Sequence, residues 1–305
     1  MIYHIRHNTT YRYATAAEAC HNMLRLEPRS VAGQTCLDFS LEVHPTPVKI
    51  HSYIDYFGNQ VRSFAVFQPH EELSITSESR VVVERPARPR EATSPSWTDV
   101  RRYLRQDRED ATIDALQYVF DSVYIRSSTA LADYAFPSFS KGRPLLAAVS
   151  ELTTRIYKEF AYDPAATTID TKIEDVLERR RGVCQDFAHL QIGCLKSLGL
   201  AARYISGYLR TEVPAGQVRL QGADASHAWL SVFCPENGWV DFDPTNGCQV
   251  TDQHITLGWG RDFHDVSPIK GVVLGGGSSA LSVAVDVTLA DEAKEQVPSG
   301  GPSVA

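Results

Sequence analysis

The spacing of apolar residues changes at a proline-rich segment in the first third of the chain, and this change most constrains the fold. Before that segment, short runs alternate apolar with polar residues, as in Leu37, Phe39, Leu41 and Val43. Such alternation is typical of half-buried strands in an antiparallel sheet. We therefore expect residues 1–85 to form a β-sandwich domain.

The segment 86–96 is rich in Pro, Arg, Glu and Ser. Its prolines, Pro86, Pro89 and Pro95, block both a helix and a central strand, so this segment is predicted to be a linker. A second domain is expected over residues 97–290.

Apolar residues take helical spacing after the linker. Leu145, Val149, Leu152 and Ile156 recur at steps of four, three and four, which places them on one stripe of a helix that starts near Pro144. This helix is expected to cover the core of the second domain.

A second helix is predicted to begin at Cys184 and to end before Gly199, a residue suited to a left-handed cap. Three strand-like segments follow, over residues 202–209, 227–233 and 239–243. A helix followed by antiparallel strands is an α+β order, so the fold class is predicted to be α+β.

The end of the chain divides into two parts. Leu281, Val283, Val285 and Val287 alternate cleanly, which predicts one last strand that returns to the sheet. Residues 291–305 are charged and contain Pro, Gly and Ser, so an unstructured tail is expected.

Composition excludes several classes of protein. Apolar residues make up 43% of the chain, enough for a packed core, and the formal charge of −7 gives no global footprint for nucleic acid or membrane. The N-terminus lacks the apolar stretch of a secretory signal, so a cytoplasmic protein is expected. Six scattered cysteines without a C-x-x-C pair favour reduced thiols over disulfides or a structural zinc site.

Cys184 is the first candidate for chemistry because it opens a predicted helix. The N-terminus of a helix carries a partial positive charge and unpaired N–H groups, which stabilise a thiolate. Gly182 is expected to leave space for a substrate above the sulfur. The alternative is that Cys184 is a small buried residue of the core, as Cys194 on the apolar stripe is expected to be.

His227 and Asp243 are the next candidates. His227 opens a predicted strand, a rigid position from which an imidazole could act as a base on a thiol. Asp243 ends the next strand before Pro244 and could orient that imidazole. A core histidine and a simple turn are the alternatives, and Asp241 would point to the same face as Asp243.

The segments around these residues resemble, in the order Cys, His, Asp, the motifs of the bacterial transglutaminase-like superfamily. They read Gly-Val-Cys-Gln-Asp-Phe-Ala-His at 182–189, Ser-His-Ala-Trp at 226–229 and Gly-Trp-Val-Asp-Phe-Asp-Pro-Thr-Asn at 238–246. The strand-rich start also resembles the N-terminal region of that family. The resemblance implies a papain-like core in which Cys184, His227 and Asp243 form the catalytic triad. Members of the family are described as candidate cysteine proteases, and the same fold serves protein cross-linkers and amidases.

The expected function is cysteine-dependent acyl transfer, with hydrolysis of a peptide, isopeptide or related amide in a protein or peptide substrate. A protein-glutamine transamidase shares every step up to the thioester, and a binding module without catalysis is a further alternative. No cofactor and no metal are expected. A metal site built on Cys184, His189, His227 and Asp243 is disfavoured, because five residues along a helix place the side chains of Cys184 and His189 roughly 140° apart.

Overall fold

The computed structural model describes residues 1–168, 171–211 and 225–290. The predicted tail, 291–305, lies outside them. The strands are β1 (Ile2–Leu24), β2 (Gln34–His44), β3 (Ile50–Ile54), β4 (Gln60–Val66), β5 (His70–Val83), β6 (Ala161–Tyr162), β7 (Arg181–Gly182), β8 (Ala202–Leu209), β9 (Ala225–Cys234), β10 (Gly238–Asp243), β11 (Cys248–Gln249), β12 (His254–Gly260), β13 (Ile269–Gly275) and β14 (Ser279–Leu289). The α-helices are α1 (Trp97–Gln106), α2 (Asp110–Leu116), α3 (Thr129–Ala135), α4 (Leu145–Glu159), α5 (Ile173–Arg179), α6 (Cys184–Ser197) and α7 (Phe263–Val266).

The first sheet is antiparallel and contains seven strands, in the order β2-β5-β1-β4-β3, with β13 and β14 also paired to β1. The first half of β1 pairs with β5 and β14, and its second half pairs with β4 and β13. The β-rich antiparallel region is as predicted. Hydrogen bonds link all seven strands, because the 23-residue β1 has neighbours on both sides along both halves.

The C-terminal strands belong to this first sheet by their hydrogen bonds. The predicted last strand is present as β14, and β13 precedes it across the Gly275–Gly277 turn, where all three glycines have positive φ. Strand pairing therefore carries residues 269–289 back to the N-terminal sheet. The division into domains at 1–85 and 97–290 stays a prediction.

The second sheet has the order β11-β10-β9-β8-β12 and packs against the helices. The face of this sheet that contacts the helices, here called its outer face, joins the buried sides of α4 and α6 in the largest apolar cluster among the described residues. The opposite face is called its inner face. The helix predicted near Pro144 is α4, and α6 begins at Cys184, with Gly199 at a φ of 75° just beyond it. No helix in the described ranges is long and apolar enough to cross a membrane.

The two sheets meet at β8 and β12. Their apolar contact contains Tyr3, Ile5, Val81, Val83, Val285 and Val287 from the first sheet and Tyr208, Ile255 and Leu257 from the second. At the free edge of β12, two side-chain amides act as a neighbouring strand would. Gln34 pairs with the N–H and C=O of Thr256, and Asn59 pairs with those of Trp259. These hydrogen bonds satisfy backbone N–H and C=O groups at the strand edge that the neighbouring strand β8 does not pair.

Candidate active site

Cys184 is the first residue of α6 and is half-buried. Because the first N–H groups of a helix have no partner within it, the sulfur lies beside unpaired donors. The Asp186 carboxylate accepts the N–H of Val183 at 2.8 Å and so closes the start of the helix. A Cβ at Gly182 would lie 2.7 Å from that carboxylate. The space at Gly182 is therefore occupied by Asp186, which corrects the expectation that it serves a substrate.

His227 and Asp243 lie on neighbouring antiparallel strands, β9 and β10, on the inner face of the second sheet. His227 Nε2 lies 2.8 Å from Asp243 Oδ2. Cys184 is close enough to His227 to contribute to the raised pKa of its imidazole. Since Nε2 is taken by the carboxylate, Nδ1 is the ring nitrogen left for the thiol. The structure thus brings together the three residues singled out by the sequence.

The electrostatics of His227 are set by two opposing effects. Burial alone would lower its pKa, because a buried imidazolium loses hydration. The hydrogen bond with Asp243, the interaction with Cys184 and the negative charge of Asp243 outweigh burial and raise the pKa of His227 well above its ordinary value. The imidazole is therefore held in its protonated form through neutral pH.

Asp243 is fully buried, yet its carboxylate accepts five N–H groups. Oδ1 accepts from the backbones of Thr245 and Asn246, and Oδ2 accepts from His227, His254 and the Asn246 side chain. Burial would raise the pKa of Asp243, but the bonds from the two histidines hold it far below its ordinary value. Asp243 is therefore a permanent anion behind His227.

Asp241 also points to the inner face, as the alternation along β10 predicts, but its partners differ. Its carboxylate accepts from Ser231 and from Trp229 Nε1 at 3.4 Å, and Arg85 lies 3.7 Å away. Cross-strand register decides between the two aspartates, because Asp241 faces Ser231, four residues beyond His227.

His254 is the site residue that the sequence motifs do not reveal. It opens β12, is buried, and its Nε2 lies 3.0 Å from Asp243 Oδ2. β12 and β10 are separated by two strands in the sheet order, so this contact requires the sheet to curl. Residues 250–253 join the edge strands β11 and β12 and close that curl. The one sequence signal is a histidine at the start of an alternating segment.

His227, Asp243 and His254 place three possible metal-ligand atoms within 4.8 Å of one another. The hydrogen bonds of His254 decide against a ligand role. The Thr251 N–H donates to His254 Nδ1 at 3.2 Å, so the ring proton is on Nε2, which donates to Asp243. A nitrogen that carries a proton is not a metal ligand.

His189 and Tyr208 serve other contacts. His189 accepts the Phe263 N–H at 3.1 Å and stacks on Tyr124, away from Cys184. The Tyr208 hydroxyl, a conceivable oxyanion donor, lies 2.8 Å from His7 Nδ1 and so faces the first sheet. Trp229 is fully buried beside His254, with 5.3 Å between the ring centres.

A thiol at a helix start, facing a histidine on a curled antiparallel sheet, defines a papain-like α+β core. Two family models match the chain: the bacterial transglutaminase-like N-terminal region at residues 3–82 and the transglutaminase-like superfamily at residues 132–244. The uncharacterized protein Rv2569c of Mycobacterium tuberculosis is 38% identical over 290 residues, covering 93% of this chain and 92% of that protein. The chain therefore belongs to the transglutaminase-like superfamily.

Two further proteins that are similar to this chain have names that state an activity. The crystal structure of a "putative cysteine protease" from Cytophaga hutchinsonii has a TM-score of 0.76 at 22% identity, covering 94% of this chain and 90% of that one, so it shares the whole fold. A protein-glutamine gamma-glutamyltransferase of Pseudomonas aeruginosa is 33% identical over 132 residues, which is 42% of this chain and 19% of that protein.

Proposed function

We propose that the protein is a cysteine hydrolase that cleaves a peptide, isopeptide or related amide bond in a protein or peptide substrate. Cys184 is the nucleophile, His227 the acid and base, and Asp243 the residue that orients His227. The observation that carries this proposal is the imidazole of His227, which hydrogen-bonds the buried Asp243 carboxylate and whose pKa is raised by the neighbouring Cys184 thiol.

The other cysteines support the choice of Cys184. Burial raises the pKa of Cys20, Cys36, Cys194, Cys234 and Cys248, so each is held as an unreactive thiol. None of these five is the first residue of an α-helix, where Cys184 lies.

The reaction begins when the Cys184 thiolate attacks the amide carbonyl and forms a tetrahedral oxyanion. The backbone N–H of Cys184, at the helix start, is a donor for that oxyanion. His227 passes its proton from Nδ1 to the leaving amine, and the C–N bond breaks to leave a thioester on Cys184. Water, deprotonated by His227, then attacks the thioester and releases the acid.

Transamidation is the second candidate, favoured by the named activity of the Pseudomonas aeruginosa relative. It shares the thioester and differs only in the acceptor, an amine in place of water. Incubation with a glutamine-containing peptide and a labelled amine distinguishes the two. Release of free acid supports hydrolysis, whereas efficient amine incorporation would replace our proposal with a transamidase.

The nucleophile is tested without knowledge of the substrate. Dilute iodoacetamide at pH 6, followed by peptide mass spectrometry, is expected to label Cys184 selectively. His227→Ala should abolish that selectivity, whereas Cys36→Ser, which removes a thiol whose pKa burial raises to about 11, should leave it unchanged. Equal and slow labelling of all six cysteines would support a binding module without catalysis.

Activity is tested by profiling peptide and isopeptide libraries with the wild type and Cys184→Ala side by side. Cleavage by the wild type alone supports the proposal. Cleavage by both proteins would assign it to another group or to a contaminant.

A further inference from the structure

The Asp243 carboxylate is shared by two histidines on opposite sides of the curled sheet, and only one of them reaches the thiol. On the proposed function, we infer that His254 is a positioning residue that fixes the Asp243 carboxylate so that His227 is aimed at Cys184. Both histidine rings contact the same oxygen, at 2.8 Å for His227 and 3.0 Å for His254.

The proton on His254 is placed by its other nitrogen. Nδ1 accepts the Thr251 N–H and lies 3.2 Å from the Thr251 hydroxyl, so Nδ1 is unprotonated and Nε2 is a donor. Burial also lowers the pKa of His254, against the pull of Asp243. His254 therefore remains a neutral ring that donates to the carboxylate and does not compete with His227 for the positive charge.

The ring of His254 has little freedom to turn away. It is 2% exposed, and the edge of Trp229 packs against it. Trp229 reaches it across Gly207, where a Cβ would lie 2.3 Å from the indole ring. A glycine on β8 thus admits the indole that supports His254.

The turn that presents His254 is held by the end of the N-terminal region. Arg85, two residues after the end of β5, donates from Nε to the Thr251 carbonyl at 3.1 Å and from a terminal nitrogen to the His254 carbonyl at 2.9 Å. Gln34 binds Thr256 two residues further along β12. The N-terminal region therefore contributes to the site, because Arg85 and Gln34 fix β12, the strand from which His254 reaches Asp243.

The charged and titratable groups that face His254 are few. Asp243 and His227 face it within the curled sheet, and Arg85 lies on the side of its backbone. Cys248 lies on β11 near Asp243. Burial of its thiol, and then the negative charge of Asp243, raise the pKa of Cys248. Among these groups only Asp243 accepts the Nε2 proton, so loss of that donor acts directly on the carboxylate.

Two amide variants of His254 test this role. In His254→Gln the side-chain NH₂ can occupy the position of Nε2, whereas in His254→Asn the shorter chain places it near Nδ1, out of reach of Asp243. We measure the rate of Cys184 alkylation against pH for each variant, with circular dichroism to establish that both are folded.

The Gln variant is expected to stay within about twofold of the wild type at pH 6. The Asn variant should react about tenfold more slowly, the effect of one lost hydrogen bond to a charged group. Equal behaviour of the two folded variants, whether both fast or both slow, would overturn the positioning role. Failure of the wild type to label selectively at Cys184 would instead overturn the proposed function, so the two failures are distinguishable.

Discussion

The first sheet encloses His7 and the second encloses His227, and these two histidines are held in different charge states. His7, in the first sheet, is 2% exposed and is bonded only to the hydroxyls of Tyr208 and Thr9, at 2.8 and 2.9 Å. Burial lowers the pKa of His7 to about 4, so it is neutral. His227, in the second sheet, is nearly as enclosed, with 9% of its side chain exposed, but the carboxylate behind it raises its pKa.

The difference teaches that burial alone does not set the charge of a histidine, because an anionic partner can outweigh it. A hydroxyl pair satisfies the hydrogen bonds of a neutral ring, whereas only an anion repays the cost of desolvating an imidazolium. That anion must itself be satisfied, which explains the five donors on Asp243. The first sheet thus buries a histidine for packing, and the second buries one in a state suited to proton transfer.

The largest expected effect comes from removing that anion. Asp243→Asn is expected to slow turnover and Cys184 alkylation at pH 6 by about 10³-fold or more, because an amide does not stabilise the imidazolium and favours the wrong tautomer. Rates of iodoacetamide labelling, and of cleavage once a substrate is known, measure this loss.

The matched control is Asp241→Asn on the same strand and face. It removes the negative charge and replaces one of the two oxygens that accept from Ser231 and Trp229 with an NH₂ group, so it is expected to cost about 1–3 kcal/mol of unfolding free energy, with alkylation within a few-fold of the wild type. If Asp241→Asn abolished alkylation and Asp243→Asn did not, the roles of the two aspartates would be exchanged.

Much of this site is predictable from local sequence. Helix α6 begins at Cys184, and β8 to β10 match the three predicted strands closely, because each segment has strong periodicity and a clear Gly or Pro boundary. The order Cys, His, Asp then selects the residues that the structure brings together. Alternation also places Asp241 and Asp243 on one face, but only the register with β9 assigns their partners.

The remaining features depend on contacts between distant segments. His254 meets Asp243 only because the second sheet curls, and that curl reflects packing of the whole sheet. The sequence does not distinguish Gln34 and Asn59 from other polar residues. Their role depends on the hydrogen bonds that their side-chain amides make with the free edge of β12. Similarly, β13 lacks the clean alternation of β14, and most of its side chains are exposed, so it carries a weak strand signal.

The second prediction concerns the pH dependence of stability, for which the two histidines have opposite signs. The lowered pKa of His7 contributes stability that is present above the unfolded pKa of about 6.5 and is lost as pH falls toward 4. The raised pKa of His227 contributes stability that is present below about 6.5 and is lost as pH rises toward 10. Urea unfolding as a function of pH, in the Cys184→Ala background, measures both.

In that background, His7→Gln is expected to flatten the loss of stability between pH 6.5 and 4 by roughly 2–3 kcal/mol. His227→Gln should flatten the loss between pH 7 and 9 by about 1–2 kcal/mol. Parallel curves for the two variants would break the comparison, since they would mean that both rings share one charge state.

A smaller effect is expected where the N-terminal region holds the turn of His254. Arg85→Met keeps the aliphatic stem but removes the donors to Thr251 and His254, so alkylation of Cys184 should slow about three- to fivefold. The nearby exposed Arg88 gives the control, and Arg88→Met should leave the rate unchanged. Equal alkylation rates for the wild type, Arg85→Met and Arg88→Met would show that the Asp243 carboxylate is held in place without the contacts of Arg85.

The smallest effects test why His7 stays neutral. Val285 pairs with His7 on the neighbouring strand and is 1% exposed, so Val285→Thr places a hydroxyl in this apolar contact and should cost about 1–2 kcal/mol in urea unfolding. Val283, two residues earlier and 48% exposed, should tolerate Thr within about 0.5 kcal/mol. The added hydroxyl at Val285 should also reduce the acid loss of stability due to His7, because a more polar surrounding raises the pKa of a buried imidazole. An unchanged acid slope would mean that the hydroxyls of Tyr208 and Thr9, and not the apolar contact, keep His7 neutral.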